Sequence, residues 1–188
     1  MATTRSKSKE PRLTRKEFFY DVIEKTRQAL PDELKTFNTS ATMNLAKLYY
    51  GNYRLHYEVW TDARDNQIEV GLHFEAGEES TDRLIAYFDR YIVEIKHELG
   101  VETELERWTR TWGHLYQVIP YQPLTASLAD DIANRLSRMI AIAQPILEEV
   151  EPKAGHGLTE SDRNQSSLTL STGGRDRSRW RHRGRHGS

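Results

Sequence analysis

The sequence predicts an α+β domain, an antiparallel sheet with helices on one face, in the order α-β-β-β-α-β-β-α. Two observations carry this. In Tyr53–Trp60 (YRLHYEVW) and Ile68–Glu75 (IEVGLHFE) apolar and polar residues alternate, the period of a strand with one face against a core. The flanking segments repeat their apolar residues at helical spacing instead, as a helix lying on such a sheet requires. The Asp/Asn-bearing stretch Thr61–Gln67 supplies turn residues between the two alternating runs, so they read as an antiparallel hairpin.

The first helix starts at Thr14, which has capping-box spacing with Glu17, while Leu13 and Phe18 have the spacing of a hydrophobic staple. Phe18, Phe19, Val22, Ile23 and Leu30 form its apolar stripe, and Pro31 ends it. Ser40–Leu48 reads either as a continued helix or as the approach to a strand at Leu45–Tyr50. The strand agrees with the turn signal Gly51-Asn52 and gives a three-stranded meander. Past Ala76–Glu79, Ser80 or Thr81 is placed to cap a helix with the stripe Leu84, Phe88, Tyr91, Ile92, Ile95 and Leu99, stopped by Gly100. Glu102–Trp108 and His114–Ile119 read as two shorter strands. Pro120 and Pro123 then precede a last helix bearing Leu128, Ile132, Leu136, Met139, Ile140, Ala143 and Leu147, in which Pro145 predicts a kink or a new start. Residues 1–12 and 151–188 are too poor in apolar groups to offset the entropy of ordering. They read as a disordered basic arm and a disordered Arg/Gly/Ser-rich tail around one domain at 13–150.

Charge is divided along the 188 residues more sharply than the net value of −1 suggests. Residues 17–150 hold 13 Lys/Arg and 23 Asp/Glu, a balance of −10, whereas 1–16 carry +5 and 151–188 carry +4. The absence of cysteine excludes disulfides, thiolate metal sites and cysteine nucleophiles, and with it the expected location is cytoplasmic. No apolar run approaches the roughly 18–20 residues that cross a bilayer, and the start MATTRSKSKE has no apolar signal region, so no membrane partner is expected.

The predicted order of elements resembles the fold of bacterial type III secretion chaperones, small acidic dimers that hold segments of partner proteins. The stretches HYEVW (His56–Trp60), EVGLHFE (Glu69–Glu75), ELERW (Glu104–Trp108) and QPILEE (Gln144–Glu149) resemble those of uncharacterised bacterial proteins over residues 14–150. The ELERW region is also similar to a domain of unknown function attached to restriction-endonuclease-like proteins. The first likeness implies a chaperone-like binder, the last a nuclease association; neither assigns a site residue.

Leu55-His56-Tyr57-Glu58 is echoed by Leu72-His73-Phe74-Glu75, and each His-x-Glu places both side chains on one face of its strand. With the turn centred on Arg64-Asp65, His56 lies opposite His73. His56, Glu58, His73 and Glu75 then form a candidate divalent-metal or acid–base set. The simpler reading is a solvated sheet face with Arg54 opposite Glu75. A third makes the same face a partner or dimer surface using Arg54, Trp60 and Glu69. Trp108, Trp112, His114 and Tyr116 form an aromatic cluster near the last strand pair, read as core. Glu94-Ile95-Lys96 has the acid-x-Lys spacing of some nucleases but falls on a helix. In the tail, Arg175, Arg177, Arg179, Trp180, Arg181, Arg183 and Arg185 are suited to weak nonspecific contact with nucleic acid.

The first functional expectation is therefore a non-enzymatic protein-binding or chaperone-like module, self-associating as a dimer and flanked by basic arms. The alternatives are a divalent-metal-dependent enzyme, such as a nuclease, using the paired His-x-Glu strands, and a nucleic-acid accessory protein acting through the tail. No cofactor is expected beyond the divalent ion that the His-x-Glu set could hold.

Overall fold

The alternation at the centre of the chain is realised as six antiparallel strands. The computed structural model describes residues 10–151. Its strands are β1 (Asn38–Ala41), β2 (Leu45–Tyr49), β3 (Leu55–Asp62), β4 (Gln67–Phe74), β5 (Glu104–Arg107) and β6 (Gly113–Pro120), in the order β1-β2-β3-β4-β6-β5. The helices are α1 (Arg15–Ala29), α2 (Glu78–Asp89), α3 (Ile92–Leu99) and α4 (Ala126–Val150). This is the α+β architecture that the sequence predicts, with one further edge strand, β1, and with the predicted second helix divided in two.

Turn chemistry sets the central register. Asp62 Oδ1 accepts from the N–H groups of Arg64 (2.9 Å) and Asp65 (3.3 Å), and Asn66 adopts a left-handed φ of 54°, which Asn tolerates. β3 and β4 therefore pair from Leu55 opposite Phe74 to Asp62 opposite Gln67, centring the turn on Arg64-Asp65 as expected. Tyr53, expected at the start of the strand, lies in the turn before β3. The ambiguous stretch resolves as strand, with β1 and β2 pairing around Thr42–Asn44. β1 is short and largely exposed, with no apolar alternation, which is why its sequence gives no strand signal.

One face of the sheet carries Leu48, Tyr57, Val59, Val70 and Leu72, all buried. α4 lies against β4, and α1 against β2 and α4. Each fully buried aliphatic or aromatic side chain here contributes about 1.5–3 kcal/mol. Every residue of β4 is buried, since the strand is paired along both edges and covered on both sides.

The helices obey their local signals with two exceptions. At the start of α1 the Glu17 N–H donates to Thr14 Oγ1 (3.2 Å) and the Thr14 N–H donates to Glu17 Oε2 (2.8 Å), a complete capping box. Thr14→Ala is expected to cost about 1 kcal/mol, seen as a lower urea midpoint at unchanged slope. The first exception is the helix expected to be capped by Ser80 or Thr81. It starts earlier, at Glu78 behind Gly77, with the acids Glu78 and Glu79 favourably placed in the first turn. Thr81 is inside that helix, and its hydroxyl donates to the Thr111 carbonyl (2.8 Å), tying α2 to the β5–β6 loop. That helix also breaks at Arg90-Tyr91, where the N–H groups bond to carbonyls three residues back (3.2 and 3.0 Å). Leu84 and Phe88 before the break, and Ile95 and Leu99 after it, all remain buried. Gly100, with φ of 120°, ends α3 in a backbone conformation that few other residues adopt. The second exception is Pro145, which starts no new helix. α4 runs through it, and both Pro145 and Ala141, whose carbonyl loses its partner, are exposed to water.

Candidate functional site

Alternation along each strand and the pairing between strands assemble three rows of side chains on the face away from the helices. The first row runs His56, His73, His114, Glu106 across β3, β4, β6 and β5. The second runs Lys47, Glu58, Gly71, Tyr116, Glu104, and the third Leu45, Trp60, Glu69, Val118. The expected pairing of His56 with His73 is present, and His114 extends it to a ladder of three histidines.

This face is not the solvated surface that its polarity suggests. His56, Glu58, Lys47, His73, His114 and Glu69 are all buried, the most exposed of them, Glu69, at 6%. Aromatic rings cover them. Tyr53 stacks on His56 at 5.8 Å, His56 on His73 at 5.5 Å, and His114 is held between Trp108 (5.2 Å) and Tyr116 (3.8 Å). Tyr49 and Trp112 extend the series at its two ends. The cluster read as core around the last strand pair thus closes over the polar face instead of joining the helix-covered core.

Of the residues expected on a partner surface, Glu69 is buried instead of exposed, Arg54 is exposed and Trp60 is half-buried. The Glu75 N–H donates to the Arg54 carbonyl (2.8 Å), so the strands remain paired there. The Glu75 carboxylate lies 3.7 Å from Lys47 Nζ, and Glu58 Oε2 lies at the same distance from that nitrogen. Lys47 is the only buried Lys or Arg among the described residues. Two acids in its reach, together with Glu69, make the interior of this face acidic.

The histidines differ in what their nitrogens meet. His56 Nδ1 is 2.9 Å from the Tyr53 carbonyl oxygen, so it carries a proton, and Nε2 is 3.3 Å from Glu58 Oε2. Burial lowers the His56 pKa, with Lys47 and His73 adding to that and Glu58 opposing it. His73 Nε2 is 3.1 Å from Glu69 Oε1, and His114 Nδ1 is 3.5 Å from the same oxygen. Neither contact has hydrogen-bond geometry, and no nitrogen of His73 or His114 makes a hydrogen bond among the described residues. Burial would raise the Glu69 carboxyl, yet His114 and His73 outweigh it and hold the group well below the usual carboxylate range. Burial would lower His114, but Glu106 and Glu69 raise it.

Two ligand-sized groupings follow: His56, His73 and Glu75, and Glu69, His73 and His114, the donor atoms of each lying within 4.8 Å of one another. The first keeps three of the four residues expected from the echoed motif. Glu58 stands apart from it, against Lys47 and His56. His114 was hidden in the sequence because β4 and β6 are neighbours only in space, with α2, α3 and β5 between them in the chain. Lys96, in the acid-x-Lys spacing, pairs with Glu104 (3.3 Å) on the surface of α3. The tail positions Arg175, Arg177, Arg179, Trp180, Arg181, Arg183 and Arg185 lie outside the described residues. No described helix is long and apolar enough to cross a membrane. No known protein family, curated protein or solved structure matches the chain, so its own side chains are the ground for a functional reading.

Proposed function

We propose that the chain is a non-enzymatic protein-binding module whose helix-free sheet face takes up a cationic segment of a partner polypeptide. The observation that carries this reading is the set of six half-buried aromatic residues on that one face: Tyr49, Tyr53, Trp60, Trp108, Trp112 and Tyr116. Half-buried Trp and Tyr are the side chains that anchor protein interfaces, and their ring faces attract arginine and lysine. Charge favours the same partner. By strand alternation the face carries Glu58, Asp62, Glu69, Glu104 and Glu106 against Lys47, a balance of −4 with neutral histidines, and Asp62, Glu104 and Glu106 are its accessible acids. Burial of His56, His73 and His114 beneath the rings supports binding over catalysis, because a dissolved substrate does not reach them.

A fluorescent nona-arginine peptide titrated into the full chain tests the reading. Saturable binding is expected, weakening with added salt and falling about tenfold or more in Trp60→Ala and Trp112→Ala, the cost of losing an aromatic anchor. Equal affinity in both variants would remove this face from the account. A dimer by light scattering that the peptide does not dissociate would reassign the face to a second copy of the chain. Capture of a labelled single-stranded oligonucleotide in place of the peptide would move the function to nucleic acid.

A further inference from the structure

We infer that Glu69, His73 and His114 form a binding site for one divalent transition-metal ion of the zinc type. Three donors converge there: Glu69 Oε1, His73 Nε2 and His114 Nδ1, on β4 and β6. Zinc bonds of about 2.0–2.2 Å imply ligand-to-ligand separations of about 3.3–3.6 Å in a tetrahedral site. The structure places Glu69 Oε1 at 3.1 Å from His73 Nε2 and 3.5 Å from His114 Nδ1, close to that spacing.

The second observation is independent of spacing. Buried polar atoms almost always find a partner, yet both nitrogens of His73 and both of His114 lack a hydrogen bond although the rings are 1% and 4% exposed. Glu69 Oε1 is likewise without one. A cation held among these atoms satisfies a carboxylate oxygen and two ring lone pairs together, which no proton on a single ring does.

The surroundings resemble a metal site beyond its ligands. Metal-bound imidazoles usually direct their other nitrogen at a carboxylate. His114 Nε2 lies 3.8 Å from Glu106 Oε2, and that oxygen accepts a hydrogen bond from the Tyr116 hydroxyl (2.9 Å). Gly71, on β4 between Glu69 and His73, keeps the floor open. A Cβ there would stand 3.4 Å from His73 Nε2 and 2.9 Å from Tyr116 Cβ. The alternative trio is less available, because its Glu75 carboxylate already faces the Lys47 ammonium at 3.7 Å and His56 Nε2 lies 3.3 Å from Glu58 Oε2, outside the trio. Two imidazoles with a single carboxylate favour zinc and its neighbours over calcium and magnesium, which prefer oxygen ligands throughout.

The test is a titration of the chelator-treated full chain with Zn²⁺, followed by calorimetry and by native mass spectrometry. One equivalent is expected, with a raised thermal midpoint. Loss of an outer-shell partner costs 10- to 100-fold in affinity, so His114→Ala, His73→Ala and the near-isosteric Glu69→Gln are each expected to weaken binding by more than about a hundredfold. Circular dichroism identifies any variant that fails to fold, and Glu69→Gln keeps the side-chain shape. His56→Ala is expected to retain the ion. Three outcomes overturn the assignment: no stoichiometric binding by the folded chain, binding lost in His56→Ala but kept in His114→Ala, and binding that disappears when the two histidines at the end of the Arg-rich tail are replaced together, His182→Ala/His186→Ala.

Discussion

Replacing Lys47 with methionine is expected to destabilise the fold by about 3–5 kcal/mol, the cost of removing one partner from a buried ion pair. Methionine fills nearly the same volume, so packing is a minor part of the loss. The charge is the major part: Lys47 is 2% exposed, and both Glu58 and Glu75 lie 3.7 Å from its nitrogen. Without it, two carboxylates on the inner side of this face lose the one buried ammonium beside them. A double variant separates charge from shape. Lys47→Met with Glu58→Gln is expected to recover a substantial part of the stability, because a neutral amide in that place is far less costly than a buried carboxylate that has lost its ammonium. Urea unfolding of the wild type, the two single variants and the double variant gives the coupling directly. A loss below about 1 kcal/mol in Lys47→Met would mean that the acids are not held by this lysine.

The same lysine shows where sequence reading ends. Alternation identified β3 and β4, their facing residues and, with the Asp62–Asn66 turn, the pairing of His56 with His73. Those are local signals: period two along a strand, and side chains that cap a turn. The burial of the polar face was not local. It depends on β6 being inserted beside β4, which pairs residues about forty or more apart in the chain such as His73 with His114, and only on that frame do Trp108 and Tyr116 close over His114. Read strand by strand, Lys47, Glu58 and Glu69 are ordinary outward-facing polar residues; assembled, they are a buried acidic layer. The division of α2 from α3 was illegible for a different reason. Leu84, Phe88, Ile95 and Leu99 keep helical spacing through the break, so periodicity alone describes one helix where tertiary packing selects two.

Phe74→Ala is expected to cost about 3–5 kcal/mol, as for large aromatic truncations in well-packed cores. Phe74 ends β4 opposite Leu55 and Gly113, is fully buried, and tilts against Phe88 of α2 with ring centroids 5.3 Å apart. It therefore couples the α2–α3 layer to the strand that also carries Glu69 and His73. Gly113 offers no side chain to move into the space, and Leu55 is fixed by its pairing, so relaxation of the cavity is limited. Val101→Ala, at a position 82% exposed, is the matched control and is expected to stay within about 0.5 kcal/mol. Denaturant unfolding of both variants checks the pair, and the slope carries a second reading. If α2 and α3 unfold together with the sheet, the midpoint falls at constant slope; if Phe74→Ala frees the helices to unfold first, the slope decreases as well. A loss near that of Val101→Ala would show that the helix layer and the strand of the histidine ladder do not share one core.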